Sequence, residues 1–131
     1  MTELRSIEWT PEEIAESCWL AADILRGHWT QSTWYAPAVE EDGTRTVRFC
    51  LEGGLAVALG LDARLMQHSP EYRKVLASCP VRLAVQETIR LDGNTSYIPG
   101  WNDEGGRTEE QVLDILERTA KRVLGVPRDD E

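Results

Sequence analysis

Hydrophobic residues recur at helical spacing near both ends of the chain, and glycines mark where each run stops. In the first run, Thr10, Pro11 and Glu13 form the N-cap, first-turn proline and capping-box pattern of a helix start. The pattern predicts a helix over about residues 11–26, ended by Gly27. Its buried stripe would consist of Ile14, Cys18, Ala21, Ala22 and Leu25.

The last hydrophobic run has start and stop signals of the same kind. Thr108 is followed three residues later by Gln111, and Gly125 and Pro127 end the run. The broad apolar face between them comprises Val112, Leu113, Ile115, Leu116, Ala120, Val123 and Leu124. Because each of the two helices has one apolar face that must be buried, we expect the first and last helices to pack together.

Between these helices, polar and apolar residues alternate in two short stretches. Residues 33–36 and 44–49 have strand character, and the acidic residues and glycine at 41–43 form the turn. In the second stretch only the face with Val47 and Phe49 is apolar enough for burial. A two-stranded hairpin is marginal in water, so this one is expected to lean on helices.

A segment of small residues follows Cys50, and it predicts a short buried helix over residues 51–60. Gly53 and Gly54 cost about 1 kcal/mol each in helix propensity relative to alanine. Either another segment approaches their backbone closely, or the helix begins after Gly54.

Residues 69–91 predict a further pair of helices. Ser69 precedes a proline at the helix start, and Pro80 interrupts the run. Helix is the preferred interpretation of residues 81–91, with a β-hairpin across residues 81–98 as the alternative. We interpret residues 98–107 as a loop.

Taken together, the elements predict a mostly helical α+β domain with four or five helices and one small hairpin. The chain of 131 residues is the right length for a single domain. We expect order over about residues 8–125 and an acidic tail at 126–131.

Composition narrows the classes of function. A net charge of −9 argues against nucleic acid or an anionic membrane as the main partner, and no apolar run approaches the ~20 residues of a membrane span. Three cysteines, an odd number, together with an acidic N-terminus that does not resemble a secretory signal, predict reduced thiols and a cytoplasmic location. With only two histidines, no metal site or cofactor is expected.

Cys50 is the candidate for nucleophilic chemistry, because a thiol at a helix N-terminus has its thiolate stabilised by the helix dipole. His28 or His68 would act as the base, with Asn102 or Asp103 to orient it. The favoured interpretation of Cys50 is nevertheless a small side chain that packs at the end of the strand.

Tryptophan-bearing loops are the candidate binding surface, since tryptophan combines a large apolar ring with one polar group. An amide, a carboxylate and a guanidinium accompany the rings. The candidate binding residues are Trp29, Trp34, Trp101, Asn102, Asp103 and Arg107. In the alternative interpretation Trp101 fills the core, Asn102 and Asp103 bond to their own turn, and Arg107 pairs with Asp103.

Four motifs resemble a known family when taken in order. They are the Gly27-His28-Trp29 segment, the Cys50-x-x-Gly-Gly helix start, the Trp101-Asn102-Asp103 piece, and Arg107-Thr108. Together they resemble a family of small uncharacterised proteins of actinobacteria and their phages. The chain departs from that pattern with Gly54 in place of alanine and with His28 before Trp29. The resemblance implies an actinobacterial or phage source and no particular chemistry.

The sequence therefore predicts a small cytoplasmic, non-enzymatic interaction or regulatory protein. Its partner would be a host protein or a second copy of the chain, bound through the tryptophan-bearing loops. The alternative is a hydrolase or transferase that depends on Cys50.

Overall fold

Seven helices and one antiparallel hairpin make up the parts of the chain that the computed structural model describes, residues 8–93 and 97–125. None of the described helices is both long enough and apolar enough to cross a membrane. The predicted acidic tail at 126–131 lies outside the described residues. The elements in chain order are α1 (Pro11–Leu25), β1 (Ala36–Val39), β2 (Arg45–Arg48), α2 (Leu51–Ala58), α3 (Ala63–Met66), α4 (Pro70–Ala77), α5 (Pro80–Leu91), α6 (Ile98–Asp103) and α7 (Glu109–Leu124).

The expected fold class, mostly helical α+β, is confirmed, and the expected number of helices is too low. The described residues contain seven helices instead of four or five. The additional ones include α3 and α6, which have four and six residues. Elements this short span less than two turns, so they leave no periodic apolar pattern in the sequence.

The first and last helices pack together as predicted, and they run antiparallel. The Trp19 indole donates to Glu117 at 2.8 Å, and the Gly27 amide donates to Glu109 at 3.0 Å. Later residues of α1 thus contact earlier residues of α7, as antiparallel helices require. Capping boxes at Thr10 and Thr108 start the two helices, which confirms both predicted starts.

Helix α2 lies in the interior, between α1 and the segment that precedes the hairpin. It begins at Leu51, so both glycines lie inside the helix. A Cβ added to Gly53 would lie 2.2 Å from the backbone oxygen of Trp34, and one added to Gly54 would lie 2.6 Å from the Leu25 side chain. Close approach of neighbouring segments therefore explains the paired glycines, and a later helix start is wrong.

The hairpin exists, but its first strand lies three residues later than predicted. Strand β1 pairs with β2 in the register Ala36↔Arg48 to Val39↔Arg45. The residues just before β1 have other partners. The Thr33 carbonyl accepts from the Cys50 amide at 3.2 Å, and the Thr33 hydroxyl bonds to Gln67 at 2.5 Å.

Residues 80–91 form helix α5, so helix is the correct interpretation of this part of the chain. The alternative hairpin also needed a strand over residues 95–98. Residues 94–96 lie outside the described part of the chain, and Ile98 begins helix α6. The expected loop at 98–107 is therefore wrong for its first half, where a proline in the first turn starts α6.

Candidate functional site

The side chain of Asn102 connects three separate segments of the chain at the end of α6. Its Oδ1 accepts from the Trp29 indole at 2.7 Å and from the Leu51 amide at 3.0 Å. Its Nδ2 donates to the Thr30 carbonyl at 3.2 Å. Asn102 is only 1% exposed, so these bonds form in the protein interior, where unsatisfied polar groups are costly.

Neighbouring groups extend this network over residues 28–35, which we call the docked segment. The Asp103 carboxylate accepts from the Ser32 amide at 2.7 Å and from the Asn102 amide group at 2.9 Å. Gln31 donates to the backbone carbonyls of Asn102 and Glu104, both at 3.0 Å. Ser32 adopts a left-handed conformation with φ +72°, so the segment is held in one specific backbone shape.

Trp101 and Arg107 stack on each other beside this network. Trp101 is 2% exposed and fills the core, as one of the two interpretations of the sequence stated. The Arg107 guanidinium stacks 4.0 Å from the Trp101 ring centre and donates to the Trp101 carbonyl at 2.9 Å. Its ion pair is with Glu104 at 2.7 Å, not with Asp103 as that interpretation expected.

Cys50 occupies the N-cap of α2, the position the nucleophile hypothesis required. Its Sγ accepts from the Gly53 amide at 3.4 Å. Burial nevertheless raises the pKa of the Cys50 thiol to about 12, and the charges of Glu52 and Asp103 act in the same direction. The helix start only partly offsets this effect. The thiol is therefore protonated at neutral pH.

The two histidines differ in their placement. The imidazole Nδ1 of His28 is buried and has no hydrogen-bond partner among the described residues. His28 lies within electrostatic reach of Glu40, whose pKa is lowered mainly by a hydrogen bond from Thr46 and to a smaller extent by Arg48 and His28. His68 is exposed in the connection between α3 and α4.

The proposed orienting group, Asp103, receives its hydrogen bonds from Ser32 and Asn102, not from a histidine. The structure thus brings Asp103 near Cys50, but among the described residues no hydrogen bond links Asp103 to a histidine, so no Cys-His-Asp relay forms. A relay of this kind requires the base to be oriented by the third group.

A buried ion pair between α2 and α5 was missed at the sequence level. Glu52 and Arg82 meet at 2.7 Å, and their side chains are 8% and 14% exposed. The Trp34 indole donates to Glu52 at 3.2 Å, and Arg73 stacks over the Trp34 ring at 5.1 Å. The sequence did contain one signal: a single glutamate stands among the small and apolar residues of α2. A glutamate buried in such a helix requires a cationic partner.

This region is a structural junction between chain segments, and its outer edge is exposed to solvent. Within residues 8–93 and 97–125, no three histidine, cysteine or carboxylate side chains are grouped so that they could hold a metal ion. Ser32 and Asp103 are exposed, and Trp29 and Trp34 are half-buried. The predicted binding residues are thus brought together, with Trp101 and Asn102 inside and the others nearer to solvent.

Comparison with known proteins agrees with the expectation of an uncharacterised family. A family model described as a family of unknown function, DUF6197, matches residues 9–122. The match covers most of the chain and all of α1 through most of α7, so the chain belongs to this family. No curated protein and no solved structure matches the chain.

Proposed function

We propose that this member of the DUF6197 family is a non-enzymatic interaction protein that binds a protein partner through the docked segment. The observation that carries the proposal is the Asn102 network, which fixes that segment from behind. The bonds to Trp29, Thr30 and Leu51 all come from one buried side chain.

A fixed segment favours binding, because less conformational entropy is lost when the partner arrives. The indole N–H groups of Trp29 and Trp34 already have acceptors inside the protein. Their half-buried rings can therefore contact a partner without leaving a polar group unsatisfied. Ser32 and Asp103 supply the polar rim of such a contact.

The competing proposal, a Cys50-dependent hydrolase or transferase, needs an accessible thiolate. Cys50 is 7% exposed and burial raises its pKa to about 12, so the geometry favours the packing role. All three cysteines are free and buried, which supports a reducing compartment such as the cytoplasm. The motifs support an actinobacterial or phage source, and an actinobacterial lysate is accordingly the place to look for the partner.

A pull-down from such a lysate, with the tagged full-length protein as bait, tests the proposal. Trp29→Ala and Ser32→Arg alter the docked segment, and Tyr97→Ala is the control because it removes an exposed aromatic ring elsewhere. We expect both segment variants to lose the partner and the control to retain it. Circular dichroism establishes that each variant is folded.

Sedimentation velocity on the same variants distinguishes a foreign partner from a second copy. If the partner is a second copy, wild type and Tyr97→Ala sediment as dimers, and Ser32→Arg sediments as a monomer. Folded segment variants that keep every partner of the wild type would contradict the proposal. Ser32→Arg adds little backbone strain, because the native serine already occupies the left-handed conformation.

A further inference from the structure

We propose that the outer face of α1 is a second docking surface, which binds a basic amphipathic helix of a partner protein. The surface is a shallow groove along one side of α1. We call it the α1 groove, and its lining residues are Trp9, Glu13, Glu16, Ser17 and Leu20.

Apolar side chains form the two ends of the α1 groove. Leu20 is 48% exposed at one end, and the half-buried Trp9 ring forms the other. Trp19, the residue before Leu20, lies on the neighbouring face; it is 38% exposed, and its indole N–H donates to Glu117. Large apolar groups on both sides of a groove are typical of surfaces that receive a partner's helix.

The charge of α1 has one sign only. The helix contains four acidic residues and no lysine or arginine. Asp23 is paired with Arg26, and Glu13 is used in the capping box. Glu12 and Glu16 have no ion pair among the described residues, and both are exposed. Among the described residues, these two carboxylates beside the groove therefore have no cationic partner, and a basic partner protein would supply one.

A partner helix can span the length of the groove. Leu20 lies eleven positions after Trp9, which stands just before the N-cap of α1, so the two ends of the groove are about three helical turns apart. A partner helix with apolar residues three and four positions apart would reach both ends of the groove and place lysine or arginine opposite Glu16. Phosphate-bearing partners are disfavoured because these carboxylates repel them.

The surface shares no residue with the docked segment, so either proposal can fail alone. The probe is a fluorescently labelled Lys/Leu peptide of about 16 residues, long enough to form an amphipathic helix on binding. Its control has the same composition in an order that destroys the amphipathic pattern. Anisotropy gives the affinity for the full-length protein, and amide chemical shifts give the location.

We expect chemical-shift changes confined to α1 and its immediate neighbours, and weaker binding of the reordered peptide. Leu20→Asn should weaken binding about tenfold, because it removes one apolar anchor at the groove. Leu83→Asn is the matched control, since Leu83 is 47% exposed on α5 and equally large. Glu16→Lys should also weaken binding, whereas Glu41→Lys in the hairpin turn should have little effect.

Four results would overturn the proposal. One is shift changes spread over the whole acidic surface, and another is equal affinity for the reordered peptide. The third is an equal loss of affinity in Leu83→Asn and Leu20→Asn. The fourth is that the peptide does not bind, and if Leu20→Asn then separates a dimer, the occupant is a second copy. Ser32→Arg should bind the peptide as wild type does, whatever the outcome for the docked segment.

Discussion

A single amide side chain accounts for much of the geometry of the candidate site. Asn102 is buried and bonds to the docked segment and to the start of α2. The sequence identified Asn102 as a candidate, because it stands between a tryptophan and an aspartate in a specific motif. It could not identify the partners, since Trp29 and Leu51 lie 73 and 51 residues away in the chain.

We predict that Asn102→Ala destabilises the protein by about 2–4 kcal/mol. The change leaves the Leu51 amide and the Thr30 carbonyl without their partner, and each buried unsatisfied group costs about 1–3 kcal/mol. Urea unfolding followed by tryptophan fluorescence measures the effect. Glu104→Ala is the control, because it removes only a partly exposed ion pair with Arg107 and should cost less than about 1 kcal/mol. Equal losses in the two variants would show that Asn102 has no special role.

The buried thiols predict how stability depends on pH. Burial raises the pKa of Cys50, and also that of Cys18, from the ordinary value of 9.0 to about 12. Above pH 9 the unfolded chain loses these protons while the folded protein keeps them, so the free energy of unfolding falls as pH rises from 9.0 to about 12. Below pH 9 the contribution is fully present.

Urea titrations at several pH values between 8 and 12 test this prediction. We expect Cys50→Ala to reduce the slope of stability against pH by up to about 1.4 kcal/mol per pH unit, because one linked proton is removed. Leu83→Ala, which changes an exposed residue on α5, is the control and should keep the wild-type slope. An unchanged slope in Cys50→Ala would mean that this thiol is not protected from ionisation.

At the scale of elements, the start of a helix was predictable from the sequence wherever a capping residue or a proline marks it. The starts of α1, α4 and α7 were predicted from a capping residue followed by proline or by a capping box. The prediction placed β1 three residues too early, because the Thr33 carbonyl accepts a hydrogen bond from the amide of Cys50, the N-cap of α2. No local sequence pattern contains this contact. Helix α6 was missed because six residues give no periodicity.

The two adjacent glycines of α2 allow a matched test of its close packing. Gly53→Ala would bring a Cβ to 2.2 Å from the backbone oxygen of Trp34, so a segment of the main chain would have to move. Gly54→Ala meets the Leu25 side chain at 2.6 Å, and a side chain can adjust more easily than backbone. Alanine also improves helix propensity by about 1 kcal/mol at either position.

We therefore expect Gly53→Ala to destabilise the protein by more than about 2 kcal/mol and Gly54→Ala to have a clearly smaller effect. Thermal unfolding followed by circular dichroism measures both. The reverse order of the two effects would contradict the described approach of Trp34 to α2.

At the scale of the whole molecule, the Glu52–Arg82 ion pair joins two separate helices, α2 and α5. Breaking such a pair from one side leaves a buried charge without a partner, which typically costs about 3–5 kcal/mol. We expect Glu52→Gln and Arg82→Met each to be strongly destabilising, and the double variant to lose much less than the sum of the two. A double-mutant cycle in urea measures this coupling, and additive losses would show that the two charges act independently.

The fold class and the pairing of the first and last helices followed from patterns within single elements. The candidate site did not follow in the same way, because its bonds join the docked segment, α2 and α6 across long stretches of chain. The sequence identified Trp29, Asn102 and Asp103, and only the fold shows which of them hold the segment and which face solvent. The buried partner of Glu52, Arg82, could likewise not be predicted from residue spacing.

We propose that this region is a structural platform for binding and not a catalytic centre. The most direct test is iodoacetamide labelling of the native protein over a series of pH values, with each cysteine quantified by mass spectrometry. The structure predicts slow labelling of Cys50, comparable to Cys18 and Cys79, without saturation below pH 9, because all three thiols are buried. Rapid labelling of Cys50 alone, with a rate that saturates well below pH 8, would contradict the binding role and favour a hydrolase or transferase that depends on Cys50.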